Sequence, residues 1–220
     1  MKRILVTGGA GYIGSHTVVE LINAGYEPII LDNFSNSDER IIKQLETLTK
    51  KEIEVHRVDL KNEQQLRKFF LLENQIDGII HFAAYKAVGE SVNLPLKYYE
   101  NNVTGLINLL KIIPEHGINN FVFSSSCTVY GSPESAQVEE LTPRRSAESP
   151  YGNTKYIGED IINDVVIAED LKACNLRYFN PIGAHPSGLI GELPKGIPNN
   201  LVPYLTQTAV GLRPELTISG

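Results

Sequence analysis

The sequence predicts an α/β protein organised as a doubly wound parallel sheet, and three observations carry that expectation. Short apolar segments alternate with longer amphipathic ones along most of the 220 residues. One apolar segment, residues 76–83, runs without polar alternation, as a strand covered on both faces does. The first apolar segment runs into a glycine-spaced turn that opens a helix. Strands separated by helices of about ten or more residues are joined by right-handed crossovers, which lay the strands parallel.

The opening of the chain sets the pattern. Residues 4–6 form a short strand, Gly8-Gly9-Ala10-Gly11-Tyr12-Ile13-Gly14 the turn, and a helix extends to about Ala24 before a second strand, residues 28–31, ends on Asp32. Gly8 must turn sharply, Gly11 must let the backbone approach a pyrophosphate, and Gly14 must let the helix lie close on the strand. The unpaired N–H groups of the helix start then face the phosphates. Asp32 is placed to accept from the hydroxyls of an adenosine ribose, and its carboxylate repels a 2′-phosphate. The order strand, glycines, helix, strand, acid therefore predicts a Rossmann-type site for NAD in preference to NADP.

A polar turn ending at Ser37, a candidate cap, leads to a helix over residues 38–48. Residues 53–58 give a third strand ending on Asp59, residues 63–72 a helix, and residues 76–83 the fourth strand. Aromatic and aliphatic residues at helical spacing predict one long helix over residues 94–115, closed by Gly117. A fifth strand at 121–123 runs into Ser124-Ser125-Ser126, a helix spans 151–169, and a sixth strand spans 176–179. The unusual polar residues gather where strands end: Asp32, Asp59, the Lys86 loop, Ser124 to Thr128, and Asn180. In such a sheet the ligand crevice lies beyond those carboxyl ends.

From Pro181 the texture changes to a loop rich in proline and glycine, a short helix over residues 201–210, and a strand beginning at 216–218. The expected organisation is an NAD-binding domain over residues 1–180 and, over residues 181–220, the start of a smaller substrate domain, because so short a stretch cannot bury an apolar face of its own. The alternative is a complete protein with a C-terminal cap.

Composition narrows the partners. A formal net charge of −6 without a basic cluster argues against nucleic acid, since nothing offers a surface that releases counterions. An anionic ligand must then be held by backbone N–H groups and a few local cations. Cys127 and Cys174 have neither metal-ligand spacing nor a disulfide framework, so no metal and a reducing, cytoplasmic setting are expected. The apolar run after Arg3 stops at Thr7, too short for a signal peptide, and no stretch approaches a membrane span.

Tyr151 and Lys155 lie four apart at a helix start and share one face. A free tyrosine titrates at about 10 and is a poor base at neutral pH. An ammonium and a cationic nicotinamide beside it are expected to favour the phenolate, with Lys155 also holding the nicotinamide ribose. Such a pair occurs on many helices; Ser126, at the end of the preceding strand and placed with Thr128 to donate to a substrate oxygen, makes it specific. His81 is expected as a hydrogen-bonded core residue, His16 as a structural residue of the helix after the glycines, and Cys127 to pack at a strand end. Lys86, Asn180 and Asn200 read either as solvated turn residues or as ligand contacts.

These motifs resemble a known family. The glycine turn with Ser15-His16, Leu31-Asp32-Asn33-Phe34-Ser35-Asn36-Ser37, His81-Phe82-Ala83 with Lys86-Ala87-Val88-Gly89-Glu90-Ser91, Ser124-Ser125-Ser126-Cys127-Thr128-Val129-Tyr130-Gly131, Tyr151-Gly152-Asn153-Thr154-Lys155 and Arg177-Tyr178-Phe179-Asn180-Pro181 look like the UDP-glucose 4-epimerases, which are extended short-chain dehydrogenase/reductases. The similarity runs over essentially the whole chain. It implies interconversion of UDP-glucose and UDP-galactose with tightly held NAD, in a homodimer built on the helices at 94–115 and 151–169. It further implies that Gly8, Gly11, Tyr12 and Ile13 lie against the pyrophosphate, with Asp32, Asn33, Asn36 and Ser37 around the adenine ribose. Asp59 and Leu60 would flank the adenine. Phe82, Ala83 and Lys86 would line the pyrophosphate and ribose, with Asn101 and Ser124 nearby and Tyr178 near the nicotinamide. Ser126 and Tyr151 would meet the sugar, and Asn180, Asn200 and Leu201 the UDP. The chain departs from the family at Ala84 and Tyr85, where glycine and leucine are usual, and family members continue beyond this length with the arginines that grip the diphosphate.

Two other functions compete. A sugar nucleotide dehydratase or decarboxylase shares the first oxidation, but a dehydratase must also remove a proton and expel a hydroxyl, and family dehydratases carry Asp-Glu just before Val-Tyr-Gly. Here those places hold Cys127 and Thr128, neither a carboxylic acid. A catalytically silent dinucleotide-binding protein is the third reading, against which an intact Ser126, Tyr151 and Lys155 speak for the natural protein. Whether the 220-residue chain is active alone is left open by its sequence.

Overall fold

The alternation read from the sequence is realised as six parallel strands in the order β3-β2-β1-β4-β5-β6, namely β1 (Arg3–Thr7), β2 (Glu27–Asp32), β3 (Glu54–Arg57), β4 (Gly78–His81), β5 (Asn120–Ser126) and β6 (Lys172–Tyr178). The computed structural model describes residues 1–216 apart from 74, 136, 197 and 199. Strand order reverses between β1 and β4, and that switch point opens the crevice in which a doubly wound sheet receives its ligand.

Two cores flank the sheet. On one face α1 (Tyr12–Asn23) and α2 (Arg40–Thr49) bury Val18, Val19, Ile22 and Leu45 against Val6 and Ile30. On the other, α3 (Glu63–Leu72), α6 (Gly105–Ile112) and α7 (Pro150–Ala168) bury Phe69, Phe70, Leu106, Leu109 and Ile162 against Leu5, Ile79, Phe121 and Phe123. The side chains of β1 therefore divide by parity, Val6 to one core and Leu5 to the other.

Several expectations need correction. The helix expected over 94–115 is not uniform: α5 (Pro95–Tyr98) passes through a π-helical turn, Tyr99–Thr104, into α6, and a 3-10 turn, Pro114–His116, follows. The wider turn delivers buried Asn102, whose amide bonds both the N–H and the carbonyl of Tyr85 and the Thr154 hydroxyl, all at 2.9–3.0 Å. A short helix, α4 (Val88–Asn93), precedes it, where the glycine and the brevity of the segment gave no helical period. Ser37 does not cap α2; its hydroxyl donates to Asp32, and the residue before the helix is Glu39. The fourth strand is shorter than residues 76–83 and the sixth begins earlier than residue 176.

Beyond Asn180 a loop carries one isolated bridge, Ala184 to Gly191, and leads to α8 (Leu201–Ala209). Buried Ile190 packs into the core beside α1, so this segment is docked on the sheet domain. The strand expected from 216–218 falls largely outside the described residues. Among the described residues no helix is long and apolar enough to cross a membrane.

Candidate active site

The glycine turn is built as its spacing requires. Gly8 has φ +69°, and a Cβ there would stand 2.7 Å from the Ala83 nitrogen, so the turn presses against the backbone of Phe82 and Ala83. A Cβ on Gly14 would stand 2.8 Å from Gly9 Cα, which is the close helix approach expected of the third glycine. No side chain caps the start of α1 at Gly11, and its first N–H groups, those of Tyr12 and Ile13 included, face the crevice end of the sheet without an intrahelical acceptor. An uncapped helix of this length behind a turn whose Gly8 and Gly14 leave no room for a Cβ fits a dinucleotide pyrophosphate.

Asp32, at the end of β2, is buried and already organises the surrounding loops. Its Oδ2 accepts the Ala10 N–H at 3.1 Å, and its Oδ1 accepts the Phe34 N–H at 2.8 Å and the Ser37 hydroxyl at 3.0 Å. These bonds hold Phe34 in the left-handed region, φ 57°, and leave Oδ2 with one acceptor position. Asn33 accepts the Ser35 N–H, which shapes the same turn, and Asn36 is exposed beside it. At the adenine side, Asp59 accepts the Lys61 N–H next to an open depression of about 520 Å³ whose wall includes Asp59, Asn62 and Glu100. Leu60 turns inward instead: its side chain belongs to the core, and its carbonyl accepts from Asn108.

The chemistry-bearing residues converge at the ends of β5 and β6. Ser126 pairs in register with Tyr178 and accepts the Thr128 N–H, starting the 3-10 turn Cys127–Tyr130. Tyr151 and Lys155 project from the first turns of α7, which Ser149 caps at Gly152 N and Pro150 begins. Buried Lys155 donates from Nζ to the Ser124 carbonyl at 2.6 Å and stands 4.8 Å over the Phe123 ring, and burial pulls its pKa down to about 7. In the protein alone burial pushes the Tyr151 phenol up, the nearby Ser126 hydroxyl opposes the rise and Cys127 adds to it, so the lowering expected at this position rests on the nicotinamide cation as well as on Lys155. The ammonium points at a carbonyl, which leaves the phenol dependent on another cation. Thr128 Oγ1 is buried beside Gly152 with no hydrogen-bond partner among the described residues.

His81 is a core residue, as expected, bonded to Thr7 Oγ1 at 2.7 Å and stacked on Phe121 and Phe123. His16 bonds the Tyr12 carbonyl within α1. Asn101 donates to Asn102. Lys86 and Asn200 are brought together by a residue the sequence did not single out: Glu192 Oε1 accepts Lys86 Nζ at 2.9 Å and Asn200 Nδ2 at 2.5 Å. Asn180 and Leu201 are exposed at the same end of the sheet and join no described contact of that cluster. Glu192 and Asn102 act through side-chain geometry across distant segments, so only their polarity in otherwise apolar or loop stretches could have marked them. Elsewhere Glu54, His56 and Glu73 gather closely, but the Arg3 guanidinium lies among them, 2.5 Å from Glu54 and 2.8 Å from Glu73.

With this geometry in view, the comparisons are specific. A family model described as GDP-mannose 4,6 dehydratase matches residues 5–220. The chain is 57% identical to a UDP-glucose 4-epimerase of Dictyostelium discoideum over 219 residues, 99% of this chain and 63% of that protein. It is 50% identical to the UDP-glucose 4-epimerase of Bacillus subtilis (strain 168) over 218 residues, 99% of this chain and 64% of that one. Among solved structures, the UDP-glucose 4-epimerase of Bifidobacterium longum in complex with NAD+ and UDP superposes with a TM-score of 0.92 at 45% identity, covering 96% of this chain and 63% of the other. The chain thus spans less than two thirds of the length of the curated relatives it matches.

Proposed function

The chain belongs to the GDP-mannose 4,6 dehydratase family, whose model covers nearly all of it, and on that premise we propose that it binds NAD and interconverts UDP-glucose and UDP-galactose at C4 of the sugar. The observation that carries this reading is the convergence of Ser126, Tyr151 and Lys155 beside the glycine cradle. Bound NAD supplies a hydride acceptor and donor for C4. Tyr151 takes the C4 hydroxyl proton and returns it after the sugar has turned over, while Ser126 and Thr128 hold the C4 oxygen. Lys155 holds the nicotinamide ribose and keeps its proton lightly. Because oxidation and re-reduction cancel, the cofactor need not leave.

The family description names a dehydratase, and the position before Val129-Tyr130-Gly131 discriminates. Cys127 and Thr128 stand where a dehydratase requires carboxylic acids, so the epimerase reading is preferred, in agreement with the names of the relatives. Asn180 at the end of the sheet domain, with Asn200 and Leu201 beyond it, supplies the UDP side, and Lys86 is shared between cofactor and substrate. The protein works as a homodimer in the cytoplasm on this reading; exposed Val92, Leu94, Leu96 and Ile167 on and beside the two long helical runs, and two free cysteines, support it. Incubation of the protein and NAD with UDP-galactose, followed by NMR of the sugar anomeric signals, tests the reaction: UDP-glucose should appear until equilibrium, and a 4-keto-6-deoxy product or none would overturn it.

A further inference from the structure

Glu159 lies one turn beyond Lys155 on the buried face of α7 and is 1% exposed. Its Oε1 accepts the Ser125 hydroxyl at 2.5 Å and Arg177 Nε at 3.0 Å, while Oε2 accepts Arg177 Nη2 at 2.8 Å and Arg144 Nη1 at 3.4 Å. Ser125 and Arg177 are themselves partners across β5 and β6. One carboxylate therefore closes on a single rung of the sheet. The neighbours of that rung are the residues of the site: Ser124, whose carbonyl receives Lys155, the pair Ser126 and Tyr178, and, on the helix, Lys155 and Tyr151.

We infer that Glu159 is a positioning residue that fixes the helix bearing Tyr151 and Lys155 in register with the strand ends bearing Ser124, Ser126 and Tyr178; the inference rests on the roles given to those residues above. Stability alone does not account for it. A buried ion pair is often no better for folding than well-packed apolar side chains of similar volume, because desolvation offsets the attraction. What the planar fork of Arg177 adds is direction, since two parallel N–H bonds fix both the distance and the angle of the carboxylate. Packing sets how closely α7 approaches the sheet, since a Cβ at Gly158 would lie 2.9 Å from the Phe123 ring, and the ion pair adds direction to that approach. Arg177 extends the hold to the Tyr130 hydroxyl at 3.1 Å, at the end of the turn that carries Thr128.

The test uses Glu159→Gln and follows the Lys155 ammonium by heteronuclear NMR of the lysine side chains, assigned with Lys155→Arg. Burial against Phe123 pulls the Lys155 pKa down to about 7. Removing a negative charge would by itself lower that value further. Loss of register admits water to Nζ and raises it toward the ordinary lysine range. A rise supports the inference; a fall or no change in a folded variant overturns it. Should Glu159→Gln not fold, Glu159→Leu combined with Arg177→Met gives the apolar replacement, under the same criterion, and failure of both to fold overturns the inference by making Glu159 a requirement of the fold. In the epimerase assay turnover should drop about 10- to 100-fold with KM changed little, the pattern of a small misplacement. Absence of turnover in the natural protein together with the Lys155 rise would overturn the proposed reaction and sustain the positioning role.

Discussion

The Asp32 carboxylate accepts the Ala10 N–H at 3.1 Å, so the acid at the end of the second strand also fastens the glycine turn after the first. One side chain thereby fixes the spacing between the expected ribose and pyrophosphate subsites. Asp32→Ala should weaken NAD by about 10-fold or more, the scale of a charge-assisted hydrogen bond. NADP should lose less, because the change also removes a repulsion. Equilibrium titration of both cofactors decides it, and equal losses would sink the selectivity argument.

Tyr151→Phe should leave the fold and UDP-sugar affinity within several-fold of the natural protein while turnover falls by roughly 100-fold or more. Kinetics at saturating UDP-galactose check this. Near-normal turnover would remove the phenol from the mechanism.

His81 should dominate acid sensitivity. Burial, aided by Lys155, depresses its pKa from 6.5 to about 3. Between those values the unfolded chain binds a proton that the folded chain refuses, so stability falls as pH drops from 6.5 toward 3 and is unaffected by this group above 6.5. Denaturation curves across that window should show a loss on the order of a few kcal/mol, flattened in His81→Gln. An acid limb unchanged by the substitution would assign it to other groups.

Two glycine substitutions should separate. Gly14→Ala forces a Cβ to 2.8 Å from Gly9 Cα, and should cost on the order of 1–3 kcal/mol and most NAD binding. Gly89→Ala meets nothing within 4 Å inside α4 and should be neutral or stabilise by a few tenths to ~1 kcal/mol. Thermal melts with and without NAD measure both, and equal effects would show that the close approach at Gly14 is dispensable.

Glu192→Gln should relieve the pairing that holds half-exposed Lys86, and raise affinity for UDP by a few-fold, since the freed ammonium becomes available to the diphosphate. Calorimetric titration with UDP reads this directly. A loss of affinity would instead make Glu192 an organiser of the Lys86 and Asn200 side chains.

The repeating strand and helix pattern was legible because burial on both faces erases polar alternation in a strand, and because glycines at fixed intervals answer a steric demand that no other residue meets. The roles of Gly8 and Gly14 appear in the structure as anticipated. Ser37 was misassigned for a physical reason: a serine before a helix suits capping, but a buried carboxylate at Asp32 competes for the hydroxyl and wins. The π-helical turn was invisible because Tyr99 to Thr104 keep ordinary helical propensities; the hydrogen bonds from Asn102 to Tyr85 and Thr154, made across the fold, select the wider turn. Glu159 and Glu192 were overlooked for the same cause, since their partners are far away in the chain.

That widened turn has a bearing on how the chain tolerates change in length. A π-helical turn holds one residue more than the α-helical turn it replaces, so deleting a single residue between Tyr99 and Thr104 would leave a helix that is locally better formed. The turns on either side would keep their relative rotation, because the extra residue is what the wider turn absorbs, but the residues inside the turn would be displaced. Asn102 would swing away from Tyr85, and the loop leading to Lys86 would lose its two backbone anchors. A shortening that improves the helix and disables the site is the kind of change that secondary-structure reasoning would score as harmless, and in this segment insertions and deletions of one residue should be rarer than substitutions.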